Sequence, residues 1–321
     1  MESSAETARL PERATEPRAP RAPALRLAPA PTRSLGAVTR DYIALTKPRI
    51  ISLLLLTTLA TMFVADPSGP SLSRILWTML GGYLAPCGAG AINHYIDRDR
   101  DARMARTRSR PLVSGRIEPV HGLVFGIVLG VAAVVQLAIT VNALAALLAA
   151  TGLLGYVFVY TLWLKPLTPQ NIVIGGAAGA VPPLVGWAAA TGSLTLDALW
   201  PFAIVFVWTP PHFWALALLI KDDYARTGVP MLPVVAGEAA TRRQILIYAT
   251  VLTVLTVLPW ATGLFGTLYL VCAVLLGGAF TGLAAYLSLR PSRRAALRLY
   301  LSSLAYLALL FIAMAADRVT G

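Results

Sequence analysis

Three oxygen-bearing side chains recur at a spacing of four residues near the end of a long apolar stretch. They are Asn93, Asp97 and Asp101. Because four residues advance an α-helix by about 400°, the three side chains fall on one stripe of a helix. Such a stripe at a membrane boundary is costly unless a cation compensates it, and hard oxygen ligands suit Mg²⁺. The pattern predicts a magnesium site, with a solvated helix end paired to the interleaved arginines as the alternative.

A second acidic group follows the sixth apolar stretch, where Lys221 precedes Asp222 and Asp223. If both acidic groups lie on one side of a membrane, each could hold a cation and the two could clamp a diphosphate between them. The plainer alternative is a charge cluster at a helix end. Acids that recur after two separate stretches favour the metal-binding interpretation, with Asp222 and Asp223 as further ligands.

The composition of the chain indicates what must position these side chains. Of the 321 residues, 57% are apolar and only 13% are charged, whereas soluble proteins carry about 25% charged residues. The apolar residues form blocks of roughly 18 or more, long enough to cross a bilayer as helices and too continuous for barrel strands. The sequence therefore predicts an all-α polytopic membrane protein, a bundle of nine transmembrane helices. The predicted spans lie near 50–65, 75–93, 120–140, 143–163, 171–190, 198–220, 244–262, 265–287 and 299–316.

Basic residues set the predicted orientation of this bundle. With the N-terminus in the cytoplasm and the C-terminus outside, every lysine and arginine except Arg74 and Arg318 falls in a cytoplasmic segment, as the positive-inside rule expects. The same bias accounts for the net charge of +12 without a nucleic-acid partner. The chemistry is therefore expected at the cytoplasmic face of the lipid bilayer.

The first 40 residues differ from the rest of the chain. They are rich in Ala, Pro and Arg and lack periodicity, which predicts a disordered cytoplasmic tail before a single membrane domain at 41–321. Acidic residues and repeated prolines argue against an organelle transit peptide, so a bacterial plasma membrane is favoured over a mitochondrial inner membrane. Cys87 and Cys272 lie inside apolar blocks and are predicted to be small core residues.

Several stretches of the chain resemble the UbiA superfamily of intramembrane prenyltransferases. The spacing at 93–101 and the acidic group after the sixth span are similar to the two aspartate-rich loops of that superfamily. Four stretches resemble its haem-farnesylating branch, and the similarity runs from about Asp41 to the last span. They are DRDRDARMARTRSRPL at 97–112, TPQNIVIGGAAGAVPPLVGW at 168–187, WTPPHFWALAL at 208–218 and DYARTGVPMLPVV at 223–235. The resemblance implies a nine-helix bundle that binds Mg²⁺ and a polyprenyl diphosphate.

The resemblance also implies a reaction and the residues that would carry it. Farnesyl diphosphate would ionise at C1, a vinyl group of protohaem (haem B) would attack, and water would quench the cation to give haem O for terminal oxidases. The implied catalytic residues are Asn93, Asp97, Asp101 and Asp222, and these with Asp223 would hold Mg²⁺. The candidate diphosphate contacts are Lys47, Arg106, Arg110, Lys165 and Lys221, although each also fits positive-inside topology. Haem A synthase is an open candidate partner.

The second loop departs from the superfamily pattern. Many relatives show Lys-Asp-x-x-Asp, whereas Lys221 and Asp222 are followed by alanine at position 225. Asp223 could substitute, or the second metal could have one protein ligand fewer. The second Mg²⁺ site is therefore less well specified than the first.

The three histidines have different surroundings in the sequence. His212 follows Pro210 and Pro211 inside the sixth span, where the prolines are expected to break the helix, and an ionisable residue at that depth is a functional candidate. We expect it to contact haem as an iron ligand or proton acceptor, with a hydrogen-bonded structural role as the alternative. His94 lies beside the acidic stripe and is a second candidate haem contact. His121 is expected to be interfacial.

Two other functions fit parts of the pattern. A UbiA-type prenyltransferase acting on an aromatic quinone precursor would share the acidic stripe but should lack the TPQN and TPPHFW stretches. A polytopic transporter could also present nine spans, but it would usually show internal repeats and polar groups near mid-membrane. The sequence shows no convincing repeat, and its acids cluster at one face instead.

Overall fold

Helices make up almost all of the chain that the computed structural model describes, which is residues 34–321 without the side chains at positions 49 and 50. No strand occurs within that part of the chain. The elements are α1 (Leu35–Thr46), α2 (Pro48–Ala65), α3 (Leu72–Asp101), α4 (Pro119–Thr140), α5 (Ala143–Leu154), a π-helix (Gly155–Leu164), α6 (Lys165–Leu167), α7 (Asn171–Gly179), α8 (Val181–Thr191), a 3₁₀ turn (Leu196–Ala198), α9 (Leu199–Leu219), α10 (Lys221–Thr227), α11 (Leu232–Val235), α12 (Gly237–Ala261), α13 (Thr267–Leu289) and α14 (Arg293–Thr320).

Within residues 34–321, eight helical segments are long and apolar enough to cross a membrane. They are α3, α4, α5 with the π-helix and α6, α7 with α8, the 3₁₀ turn with α9, α12, α13 and α14. A ninth candidate span is formed by α1 and α2 together, which are bent by 57°. The predicted all-α polytopic bundle is confirmed, with nine spans when the bent pair counts as one. The orientation of the two termini stays a prediction.

The start of the helical chain differs from the predicted boundary at residue 40. Residues 1–33 of the predicted tail lie outside the described residues, whereas residues 35–40 belong to α1. Ser34 caps this helix, because its hydroxyl accepts a hydrogen bond from the Ala37 N–H and so satisfies one free donor of the first turn. The assignment of residues 35–40 to a tail is therefore corrected, and the remaining domain division stays a prediction.

The bundle consists of two groups of helices that share α2. In one group α3 packs along α4, α5 packs between α4 and α8, and α8 packs on α2; in the other, α9, α12, α13 and α14 pack together. The groups meet where α14 contacts α2 and where α7 and α8 contact α9. The second group encloses a core with the large buried side chains Trp214, Tyr269, Phe280 and Phe311.

Glycines bring two pairs of helices into backbone contact. A Cβ atom at Gly88 of α3 would lie 2.6 Å from the Gly126 carbonyl oxygen of α4 and 2.7 Å from the Gly130 nitrogen. A Cβ atom at Gly186 of α8 would lie 2.2 Å from the Thr58 carbonyl oxygen of α2. Membrane helices associate through such close packing because lipid offers no hydrophobic driving force between them. These crossings fix α3, which carries the acidic stripe, against its neighbours.

The sixth span corrects one expectation from the sequence. The helix was expected to break at Pro210 and Pro211, but α9 runs without interruption from Leu199 to Leu219. Both prolines are buried against neighbouring elements, and such packing lets a membrane helix tolerate the hydrogen bonds that proline removes. The hydroxyl of Thr209 also donates to the Val205 carbonyl within the same stretch.

Candidate active site

The predicted acidic stripe exists and is buried. Asn93, Asp97 and Asp101 lie on the last turns of α3 and are 4%, 2% and 5% exposed. The amide of Asn93 donates to Oδ2 of Asp97 over 2.8 Å. Because α3 continues to Asp101 rather than ending near residue 93, all three side chains keep the helical spacing that aligns them.

Four cations from different parts of the chain surround this stripe. Lys47 donates to Oδ1 of Asn93 over 2.8 Å, and Lys165 lies 2.5 Å from Oδ2 of Asp97. Arg110 lies 2.5 Å from Oδ2 of Asp101, and Arg100 pairs with Asp97 over 3.1 Å. Charges taken out of water are stable only when paired in this way. The stripe and its four cations are named the α3 cluster below.

The local backbone explains how two of these cations reach the stripe. Lys47 separates α1 from α2 and adopts a left-handed conformation, with φ 52°. A residue other than glycine is disfavoured there, and such strain concentrates at functional positions. Lys165 begins α6 directly after the π-helix, a rare helix type that often marks functional sites.

The π-helix contributes a residue that the sequence analysis did not single out. The hydroxyl of Thr161 donates to the Tyr156 carbonyl, five residues earlier, and accepts a hydrogen bond from the Asn93 amide over 3.2 Å. Thr161 is completely buried. It therefore fixes the orientation of the Asn93 amide so that Oδ1 faces Lys47. In the sequence, Thr161 lies four residues before Lys165, and this spacing is the signal that could have identified Thr161.

The second acidic group is divided between the two sides of α10. Asp223 and Tyr224 are buried, and Asp223 pairs with Arg226 over 2.6 Å. Burial raises the pKa of Tyr224 to about 12, with Asp97 and Asp223 adding to the rise and Arg106 and Arg110 opposing it. The Tyr224 hydroxyl therefore stays protonated as a hydrogen-bond donor, and the charges of Asp97 and Arg110 act on it.

Lys221 and Asp222 lie on the other side of α10. Lys221 forms an ion pair with Glu238 of α12, and this hydrogen bond and charge raise the pKa of the Lys221 ammonium group. Asp222 is exposed beside Glu238 in a shallow crevice. Asp223 therefore lies on the buried side of α10, whereas Lys221 and Asp222 line the open crevice.

The donor set of the α3 cluster fits Mg²⁺ by its chemistry. Mg²⁺ prefers one or two carboxylates together with water and substrate phosphates, and the stripe offers Asp97, Asp101 and the amide oxygen of Asn93. Within residues 34–321, no three His, Cys, Asp or Glu side chains are grouped closely enough to hold a metal alone. Lys165 and Arg110 now donate to oxygens that a metal would need.

His94 is a buried polar side chain without a partner. Its ring is 3% exposed, and neither ring nitrogen forms a hydrogen bond. Leaving such a group unpaired costs about 1–3 kcal/mol. The unpaired ring makes His94 a candidate contact for a ligand.

His212 has a defined set of neighbours on α9 and α14. Its Nδ1 lies 2.7 Å from the Ser303 hydroxyl, and its ring stacks on Trp208 with centroids 4.2 Å apart. Ser303 donates its own proton to the Tyr300 carbonyl over 2.6 Å. The Ser303 oxygen therefore accepts from His212 Nδ1–H, which leaves a lone pair on Nε2. His121 is largely exposed beside Glu118, as expected for an interfacial residue.

Known proteins resemble this chain over most of its length. The sequence model described as the UbiA prenyltransferase family matches residues 54–314. The chain is 55% identical over 283 residues to a protohaem IX farnesyltransferase of Roseiflexus sp. (strain RS-1), covering 88% of this chain and 53% of the relative. It is 53% identical over 284 residues to the protein of that name from Symbiobacterium thermophilum, covering 88% and 95%. The chain spans about half the length of several curated relatives that it matches.

Solved structures share the fold at low sequence identity. A digeranylgeranylglyceryl phosphate synthase matches with a TM-score of 0.73 and 16% identity, covering 89% of this chain and all of the other. A UbiA homologue from Archaeoglobus fulgidus, bound to DMAPP and Mg²⁺, matches with a TM-score of 0.64 and 16% identity, covering 87% and 99%. The predicted superfamily resemblance is confirmed. The chain belongs to the UbiA prenyltransferase family.

Proposed function

We propose that this chain is a Mg²⁺-dependent prenyltransferase that transfers the farnesyl group of farnesyl diphosphate to a vinyl group of protohaem. The C1–oxygen bond of the diphosphate breaks, and a C–C bond forms between C1 and the terminal vinyl carbon. Water adds to the other vinyl carbon and loses a proton, which gives a hydroxyethylfarnesyl group, diphosphate and H⁺. The product would be haem O. The names of the bacterial relatives over 88% of the chain support this assignment.

The carrying observation is the α3 cluster, in which a buried acidic stripe meets cations from distant parts of the chain. Lys47, Lys165 and Arg110 lie within 2.8 Å of stripe oxygens, and Arg106 acts on the same region through Tyr224. These four cations are the proposed diphosphate contacts. Mg²⁺ held by Asn93, Asp97 and Asp101 would neutralise charge on the leaving diphosphate.

The residues around the cluster would bind, orient and shield the allylic donor. Thr161 holds the Asn93 amide, and the protonated Tyr224 hydroxyl can donate to a phosphate oxygen. Asp223 is the proposed ligand from α10, because it shares the buried side of that helix with Tyr224. Asp222 and Lys221 remain sequence predictions for the metal and the diphosphate, and their exposed positions give them no added support.

The haem acceptor would lie against the two histidines. His94 offers an unpaired buried ring beside the stripe, and His212 offers Nε2 on α9. Either nitrogen can act as an iron ligand or a proton acceptor. A location in the cell membrane fits the spans and the bacterial relatives, and contact with haem A synthase stays a prediction.

A product assay tests the proposal directly. Purified protein in membranes receives haem B, farnesyl diphosphate and Mg²⁺, with EDTA as the metal control and Asp97→Asn as the site variant. Asp99→Asn is the matched control, because Asp99 is off the stripe and its side chain is 83% exposed. We expect a product heavier than haem by farnesyl plus water, lost with EDTA and Asp97→Asn but kept with Asp99→Asn.

Two results would contradict parts of the proposal. Prenylation of a hydroxybenzoate or naphthoate without any haem product would keep the metal site but replace the acceptor by an aromatic quinone precursor. Full activity of Asp97→Asn would contradict the assignment of the acidic stripe as the Mg²⁺ site.

A further inference from the structure

A crevice at the same end of the bundle lies on the opposite side of α10 from the α3 cluster. It has a volume of 220 Å³ and is bounded by α9, α10, α12, α13 and the start of α14. Lys221 and Asp222 of α10 line this crevice, whereas Asp223, Tyr224 and every residue of the α3 cluster lie outside its lining.

Three cations line the crevice and outnumber its acids. Lys221, Arg242 and Arg293 are opposed by Asp222 and Glu238. Glu238 is already paired with both Lys221 and Arg242. The crevice therefore keeps an excess positive charge.

Arg293 supplies the group in the crevice that is free to bind an anion. Its guanidinium donates to the Leu219 carbonyl over 3.1 Å and forms no ion pair among the described residues, so most of its five N–H donors stay available. Arg293 also begins α14, a helix of 28 residues, whose positive dipole end favours an anion. Phosphate groups suit this combination of a guanidinium fork and a helix terminus.

The apolar part of the lining identifies the kind of molecule that carries the anion. Leu218 and Leu219 end α9, Leu287 lies near the end of α13, and Ala296 is on the first turn of α14. The neighbouring Leu289 and Leu297 are 79% and 45% exposed, so exposed apolar side chains lie next in sequence to the crevice residues of α13 and α14. Basic pockets between transmembrane helices bind phospholipid head groups in this way.

We propose that this crevice binds the head group of an anionic phospholipid, with Arg293 and Arg242 on the phosphate and the acyl chains along α13 and α14. The bilayer supplies such a lipid wherever the protein is inserted. The site does not depend on the proposed prenyl transfer, because no residue of the α3 cluster contributes to it.

Native mass spectrometry of the full chain in detergent tests the proposal, with phosphatidylglycerol and phosphatidylcholine as the added lipids. We expect a tightly retained phosphatidylglycerol, and we expect its affinity to fall about tenfold or more in Arg293→Gln and Arg242→Gln. Arg293→Lys keeps a charge and should retain more binding than Arg293→Gln. Arg40→Gln is the matched control, since it removes one exposed arginine of α1 outside the crevice.

Selectivity for the head group separates a lipid site from a general anion site. Equal binding of phosphatidylcholine, or equal loss in Arg40→Gln, would overturn the proposal. Displacement of the lipid by inorganic phosphate at similar concentration would show a general anion site and would also overturn it. The melting temperature of each variant without added lipid checks folding; a folded Arg293→Gln that still binds phosphatidylglycerol fully would exclude this crevice.

Discussion

The ammonium group of Lys165 lies 2.5 Å from Oδ2 of Asp97, although the two residues are 68 positions apart. Lys165 follows the π-helix, and Asp97 lies near the end of α3. Asp101 is also paired, because Arg110 lies 2.5 Å from its Oδ2. Each carboxylate of the stripe is thus held by a cation that could instead bind a phosphate. If the proposed metal and phosphate bind here, they would exchange with these partners without leaving a buried charge unpaired.

The first prediction concerns this pair. Lys165→Met should lower kcat/KM for farnesyl diphosphate by about 100-fold or more, because it removes one preorganised cation from the leaving group. It should also destabilise the protein by about 3–5 kcal/mol, because it removes a partner of buried Asp97. Steady-state kinetics and the free energy of unfolding in detergent measure the two effects.

The double variant Lys165→Met with Asp97→Asn separates the two effects. It should recover part of the stability, because position 97 no longer carries a buried charge that lacks Lys165, although Arg100 loses its partner. It should recover no activity. Turnover in the double variant would contradict both assignments, Asp97 as a metal ligand and Lys165 as a diphosphate contact.

The second prediction uses the left-handed backbone of Lys47. Lys47→Gly and Lys47→Met both remove the ammonium group that contacts Asn93, so both should weaken diphosphate binding equally. Glycine adopts φ 52° without strain, so Lys47→Gly should be more stable than Lys47→Met by about 1 kcal/mol. Binding of a non-hydrolysable farnesyl diphosphate analogue and melting temperatures provide the comparison. Normal analogue affinity in both variants would exclude Lys47 from the diphosphate site.

Helical periodicity explains why the fold and the first acidic stripe could be predicted from the sequence. Side chains that are four residues apart on a helix lie along one stripe, so Asn93, Asp97 and Asp101 align wherever α3 is placed. The apolar blocks likewise specify spans, because a bilayer leaves the backbone few alternatives to a helix.

The division of the second acidic group could not be predicted in the same way. Asp222 and Asp223 are adjacent on α10, and only tertiary packing decides that Asp223 is buried while Asp222 is exposed. Lys221 of α10 pairs with Glu238, which belongs to α12. Thr161 contacts Asn93 from the π-helix. Neither partner has a periodic signal in the sequence, because each depends on how distant helices meet.

The third prediction tests the close crossing of α3 and α4. Gly88→Val should prevent normal packing, because even its Cβ would lie 2.6 Å from the Gly126 carbonyl oxygen and 2.7 Å from the Gly130 nitrogen. Backbone atoms on both sides leave little freedom to relax, so the cost should exceed the about 1–3 kcal/mol of ordinary overpacking. Gly278→Val is the matched control on α13, where a Cβ would meet nothing within 4 Å. Equal melting temperatures of the two variants would contradict the close crossing.

The fourth prediction distinguishes a ligand-binding role for His94 from a structural one. His94→Leu removes two buried nitrogens that have no partner among the described residues, so it should leave the melting temperature unchanged or raise it. If the ring contacts haem, the same variant should bind haem B more weakly and change its absorption spectrum. A strongly destabilised variant with normal haem binding would return His94 to a structural role.

The fifth prediction concerns the tautomer of His212. Ser303 donates to the Tyr300 carbonyl and accepts from His212 Nδ1, which keeps Nε2 unprotonated and fixes the ring against Trp208. If Nε2 contacts haem, His212→Ala should change the absorption of bound haem B, and added imidazole should restore it. Ser303→Ala should have a smaller effect of about 10-fold to 100-fold on haem affinity, because it releases the ring without removing it. Spectra of bound haem B that match the unmodified protein in both variants would show that His212 only packs between α9 and α14.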